Sequence, residues 1–85
     1  MSIAQPRMGL EYIFDVLPEE EGGGYFARLG AIPGCCGDGA TVEEAVADCM
    51  RAMYEAVDEL RRLGRPIPEA VEAFIAAEQA MLRAH

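Results

Sequence analysis

The chain has 85 residues, 52% of them apolar, with 15 acidic and 7 basic residues and a formal net charge of −8. A chain of this length forms one domain near the lower size limit for an independent hydrophobic core, so we expect self-association to supplement its stability. Every basic residue is Arg, and the acidic balance argues against direct binding of DNA or RNA, because such binding depends on neutralising phosphates. The same charge favours a basic protein partner.

The start of the chain lacks the apolar stretch of a signal peptide, and no run approaches the roughly 20 apolar residues of a membrane span. We therefore expect a cytoplasmic protein without membrane contact, in which the three cysteines are reduced.

Residues 1–10 carry no regular pattern, and we interpret them as a flexible N-terminal arm in front of a single domain over residues 11–85. The aromatic and β-branched run 11–17 predicts a first strand, and Tyr25–Leu29 predicts a second. Together they predict an antiparallel hairpin.

The predicted turn of this hairpin starts at Pro18, which lacks a backbone donor, and ends in three glycines that permit positive φ. Between them lie Glu19, Glu20 and Glu21, which we name the acidic tip. Solvated charge is the default interpretation of such a run. The alternative is that the acidic tip, together with Asp38, forms a negative patch for a basic partner.

Residues 30–39 contain four glycines and one proline, so they predict sharp turns and leave room only for a short third strand around Cys35 and Cys36. We expect Gly34 and Gly39 to have structural roles here.

A capping box, Thr41 to Glu44, predicts the start of a long helix, in which the Thr41 hydroxyl accepts from the Glu44 amide and the Glu44 carboxylate reaches back. Apolar residues then recur at three- and four-residue steps for about six turns. Gly64 is a natural stop for this helix.

After a proline-rich connector, helical periodicity resumes and predicts a second helix, Glu69–Arg83. Its apolar face consists of Val71, Phe74, Ile75, Met81 and Leu82. This face either folds back on its own sheet, packs on a second copy of the chain, or fills a groove of a partner.

No constellation for catalysis, cofactor binding or metal binding is apparent. Cys35 and Cys36 are adjacent rather than paired at zinc-ligand spacing, and we expect both, like Cys49, to be small buried residues. His85 is the final residue and a poor base for a cysteine nucleophile. The glycines fit no phosphate-binding spacing, and there is no Lys.

Residues 23–45 read Gly-Gly-Tyr-Phe-Ala-Arg-Leu-Gly-Ala-Ile-Pro-Gly-Cys-Cys-Gly-Asp-Gly-Ala-Thr-Val-Glu-Glu-Ala. This ordered set resembles the signature of HicB-like antitoxins: a G-Y-x-A strand, then P-G-C, then a glycine and Thr-x-Glu-Glu-Ala opening a helix. The resemblance covers roughly residues 11–69, including the helix exit at residues 64–68.

The resemblance implies an α+β fold, partial ribonuclease H-like, with a small antiparallel sheet of three or four strands packed on one long helix. It also implies binding and neutralising a small, basic, RNA-cleaving toxin of the HicA type. Many family members continue into a DNA-binding module, whereas this acidic chain ends early, so we expect no operator binding. We expect the helix Glu69–Arg83 to take the place of the family's usual final strand.

Three functional hypotheses follow. The first is a non-catalytic, HicB-like antitoxin or antitoxin-derived module. The second is a stand-alone homo-oligomer, a dimer or larger, that uses the sheet edge or the second helix. The third, a small hydrolase, requires a buried carboxylate site that the sequence does not indicate.

Overall fold

The computed structural model describes residues 13–83. The predicted arm over residues 1–10, the predicted strand start at Glu11 and the terminal His85 lie outside these residues. The described elements are β1 Phe14–Pro18, β2 Tyr25–Leu29, β3 Cys36–Gly39, α1 Val42–Arg62 and α2 Glu69–Arg83. The predicted α+β class is confirmed: a small antiparallel sheet packs on one long helix and is joined by a C-terminal helix.

The sheet has the strand order β1-β2-β3, with both neighbouring pairs antiparallel. The central strand β2 has the bounds that the sequence predicts. Its side chains alternate between the two faces of the sheet, so that Ala27 and Leu29 are buried and Arg28 is exposed. One face therefore meets the core and the other does not.

Strand β1 begins at Phe14 and includes Pro18, although the sequence predicts that the strand stops before this proline. The Glu19 N–H donates to the Gly24 carbonyl at 2.9 Å, and hydrogen-bonded positions alternate along an antiparallel pair. Pro18, which lies opposite Tyr25, is therefore at a non-hydrogen-bonded position. Its nitrogen faces outward at the sheet edge, where the missing N–H costs no ladder bond.

Strand β3 lies further along the chain than predicted and is packed directly on α1. A Cβ atom at Gly37 would lie 2.4 Å from the Cys49 nitrogen, and one at Gly39 would lie 2.9 Å from the Ala45 nitrogen. Side chains at these two positions would push the helix away, so glycine is what allows β3 to lie against α1. Gly34 has a φ of +96° in the turn before β3, a conformation that favours glycine.

Helix α1 starts and stops where the capping signals place it. Thr41 Oγ1 accepts from the Glu44 N–H at 3.1 Å, and Glu44 Oε1 accepts from the Ala40 N–H at 2.9 Å. The carboxylate thus reaches one residue beyond the N-cap, which differs from the usual reciprocal box. At the other end, Gly64, with a φ of +70°, donates to the Arg61 carbonyl at 3.1 Å, which closes the helix in a Schellman-type turn.

The first half of α2 packs on the chain's own core. Val71, Phe74 and Ile75 are buried, and the Phe74 ring meets Phe14 of β1 edge-to-face with a centroid distance of 5.4 Å. Aromatic pairs favour this arrangement because the positive edge of one ring meets the negative face of the other. Among the described residues, no helix is long and apolar enough to cross a membrane.

Candidate protein-binding surface

Helix α1 covers one face of the sheet, and the side chains of the other face are not buried. We name this surface the open sheet face. Its members alternate with the core residues along the three strands: Asp15, Leu17, Phe26, Arg28, Cys36 and Asp38. Five of them are exposed, and Phe26 is half-buried.

An apolar pair lies on the open sheet face between charged neighbours. Leu17, which is 45% exposed, lies opposite Phe26, and Phe26 lies opposite Asp38 on its other side. One step along, Arg28 Nε lies 3.7 Å from Asp15 Oδ2, and both side chains are more than half exposed. The surface thus combines uncovered apolar area with carboxylates at its margins.

The acidic tip lies at the end of the sheet where Leu17 and Phe26 pair. It follows Pro18 directly, and Glu20 and Glu21 are exposed. The turn closes against β3, because a Cβ atom at Gly24 would lie 2.8 Å from the Gly39 carbonyl oxygen. The four predicted partner-binding acids, the acidic tip and Asp38, are therefore at the same end of the sheet.

Asp48 of α1 is hydrogen-bonded to the outer edge of β3. Asp48 Oδ2 accepts from the backbone N–H of Asp38 at 3.1 Å, and Asp48 also bonds to Arg51. The hydrogen bond from Arg51 and, next, that from the Asp38 amide hold the pKa of the Asp48 carboxyl below its usual range. Asp48 thereby joins α1 to the outer edge of β3.

The cysteines divide into two buried thiols and one exposed thiol. Cys35 and Cys49 are buried, and Cys49 Sγ donates to the Cys35 carbonyl at 3.6 Å. Burial raises the pKa of Cys49 to about 11, which leaves little thiolate at neutral pH. The expectation that Cys36 is buried is wrong, because strand alternation turns it to the open sheet face.

The described part of the chain contains no group of three or more His, Cys, Asp or Glu side chains suited to a metal ion. Over residues 13–83, no polar or charged side chain is buried. Acid–base catalysis by carboxylates usually relies on such burial to shift their pKa values.

The predicted apolar face of α2 divides between core and surface. Its first three residues are buried, whereas Met81 is 50% and Leu82 is 71% exposed. Between the two parts, the Tyr54 hydroxyl of α1 donates to Glu78. Burial and then this hydrogen bond raise the pKa of Tyr54 to about 12. Beyond Glu78, the apolar side chains of α2 are largely exposed.

The sequence predicted the acids of this surface but not its apolar centre. Leu17 and Phe26 belong to runs that are apolar at most positions, so the sequence predicts strands there without indicating which face of the sheet is covered. Strict alternation from Ala27 and Leu29, which are buried, would have placed Phe26 on the opposite face.

Comparison of the chain with protein-family models, with curated proteins and with solved structures found no match. The resemblance to HicB-like antitoxins rests on the motif over residues 23–45 and stays a prediction.

Proposed function

We propose that this chain is the toxin-binding part of a HicB-like antitoxin and neutralises a small, basic, RNA-cleaving toxin. The observation that carries the proposal is that four carboxylates lie at one end of the sheet, beside the exposed Leu17 and the half-buried Phe26. The ordered motif of residues 23–45 supports it from the sequence side. A net charge of −8 complements a basic partner.

The proposed inhibition follows from charge. A protein that cleaves RNA needs a basic surface to hold the phosphates. The acidic tip and Asp38 present carboxylates that compete for this surface, and the body of the domain then blocks access to it. Attraction of this kind accelerates association and weakens as salt screens the charges.

The proposal is tested by co-expressing the chain with a small basic protein encoded beside it. Co-purification and inhibition of RNA cleavage are measured at about 0.05 M and about 0.5 M salt, which changes the screening length several-fold. We expect a complex that inhibits cleavage and weakens at high salt. Failure to form a complex at low salt contradicts the proposal.

A matched pair of variants locates the charge effect. Replacing all three residues of the acidic tip with Gln should weaken the complex about tenfold, because each exposed charge contributes a few tenths of a kcal/mol. The control, Asp58→Asn with Glu69→Gln and Glu72→Gln, removes the same charge from exposed helix positions. Equal weakening by both sets would show that only net charge matters.

The second candidate function is a homo-oligomeric interaction module. It is favoured by the exposure of Met81 and Leu82, which extend α2 beyond its buried half and offer apolar area to a second copy. Light scattering at increasing concentration tests this, with Leu82→Ser as the variant that should dissociate the assembly. A wild-type protein that stays monomeric at high concentration contradicts the alternative.

A further inference from the structure

We infer that the open sheet face is a docking surface for a basic polypeptide segment whose apolar residues cover Leu17 and Phe26 and whose arginines or lysines meet the surrounding carboxylates. This rests on the proposed function in that the partner is basic, and it adds the surface and the type of segment that binds.

The first argument is the exposure of apolar side chains on a face over which residues 13–83 form no second layer. Antiparallel sheets with one solvated face usually place polar side chains there. Here Leu17 is 45% exposed and pairs across the strands with Phe26. Burying this pair removes apolar area from water, which is the main favourable contribution to association.

The second argument is the charge around this pair. Asp38 flanks Phe26, the acidic tip follows β1, and Asp15 lies one pair away. The single cation of the face, Arg28, is already 3.7 Å from Asp15. Negative charge therefore predominates at the margin, and a basic segment complements it.

The same charges disfavour two other occupants. A second copy would bring another net charge of −8 and would place its own carboxylates against these. A nucleic acid would bring phosphates against them, and phosphate neutralisation is the main source of affinity in such complexes.

The size of the face determines how the partner binds. Two strands of five residues and one of four, spaced about 4.8 Å apart and rising about 3.3 Å per residue, span about 220 Å². A standard interface buries about 800 Å² on each partner. The footprint of a stable partner therefore extends beyond the sheet, and the acidic tip is the adjoining surface that continues it.

The experiment is a titration of the ¹⁵N-labelled protein, followed by amide chemical shifts, with two capped peptides. The first, Arg-Ser-Leu-Ser-Leu-Ser-Arg, places Arg, Leu, Leu and Arg on one face when extended. The second replaces both Leu with Ser and keeps the charge. We expect the leucine peptide to shift the amides of Leu17, Phe26 and Cys36 and of the acidic tip, with an affinity at least tenfold above that of the serine peptide.

Substitutions then test the two components of the face. Leu17→Ser should weaken binding of the leucine peptide about tenfold through loss of apolar contact. Leu63→Ser is the matched control, since Leu63 is 52% exposed at the end of α1 and should have no effect. Asp38→Asn should weaken binding two- to threefold, whereas Asp58→Asn on α1 should leave it unchanged.

Three results would overturn the inference. One is a set of shifts centred on the exposed carboxylates of α1, Glu55, Asp58 and Glu59. Another is equal affinity for both peptides. The third is concentration-dependent shifts of the same sheet amides without peptide, which would identify a second copy as the occupant. The proposed function can fail separately. Suppose that the sheet face binds the leucine peptide but the basic protein encoded beside the chain forms no complex with it. This result refutes the antitoxin proposal and leaves the docking surface standing.

Discussion

Substitution of Gly37 by Ala is the most direct test of how the sheet and α1 are joined. The added Cβ would lie 2.4 Å from the Cys49 nitrogen and 2.7 Å from the Asp48 carbonyl carbon. Both atoms belong to the backbone of α1, so no side-chain rotation relieves the overlap. Either α1 moves outward by about 1 Å or β3 bends away from it. A gap of that size loses a quarter to a half of the van der Waals attraction of each contact between them.

We expect Gly37→Ala to lower the free energy of unfolding by about 3 kcal/mol, at the upper end of the usual cost of overpacking. A domain of this length has a total stability of about 4 to 13 kcal/mol. With a urea dependence of about 1 kcal/mol per M, the unfolding midpoint should fall by about 3 M.

The assay is urea unfolding followed by far-ultraviolet circular dichroism, with Gly30→Ala as the matched control. A Cβ at Gly30 meets nothing within 4 Å, so this variant should stay within about 0.5 kcal/mol of the wild type. If the two variants unfold at the same urea concentration, α1 does not lie on the β3 backbone as described, and the argument for both glycines of the strand fails.

Three further outcomes follow from the helix contacts and the cysteines. Thr41→Ala should cost about 1 kcal/mol through loss of the N-cap acceptor, and Thr41→Ser should restore most of it; equal unfolding midpoints for all three proteins would contradict this. Since the pKa of Asp48 is lowered, its contribution is present above the usual aspartate pKa of about 3.9 and is lost as the pH falls through the lowered value. The difference in melting temperature between wild type and Asp48→Asn should therefore shrink on acidification, and a constant difference would argue against the ion pair. A thiol reagent should modify Cys36 rapidly in the native protein and the other two cysteines only on unfolding, so Cys36→Ser should abolish the fast phase.

The helices were predictable because their signals are local. Helix α1 begins after Thr41 and ends before Gly64, as the sequence indicates. Strand β2 has the predicted bounds because a glycine run precedes it and Gly30 follows it. The end of β1 was not predictable from Pro18 alone. Whether a proline stops a strand depends on which way its nitrogen faces, and strand pairing determines that.

Strand β3 and the candidate surface were less predictable for a related reason. The sequence of β3, Cys-Gly-Asp-Gly, has low strand propensity, and its position depends on the close approach of α1. The acidic tip was evident from charge. The open sheet face was not, because alternation defines two faces, and only the packing of α1 determines which of them is covered.

The two edges of the sheet differ in a way that limits how far strands can be added to it. At β3, the outward N–H of Asp38 already donates to the Asp48 carboxylate. A strand added at this edge would have to displace that carboxylate. At β1, no other strand within residues 13–83 pairs with the outward positions near Phe14 and Val16, although Pro18 shortens that edge. Growth of a fibril needs two compatible edges on every copy. Over residues 13–83 the sheet offers the β1 edge alone, so pairing between copies through β1 favours two chains over a propagating fibril.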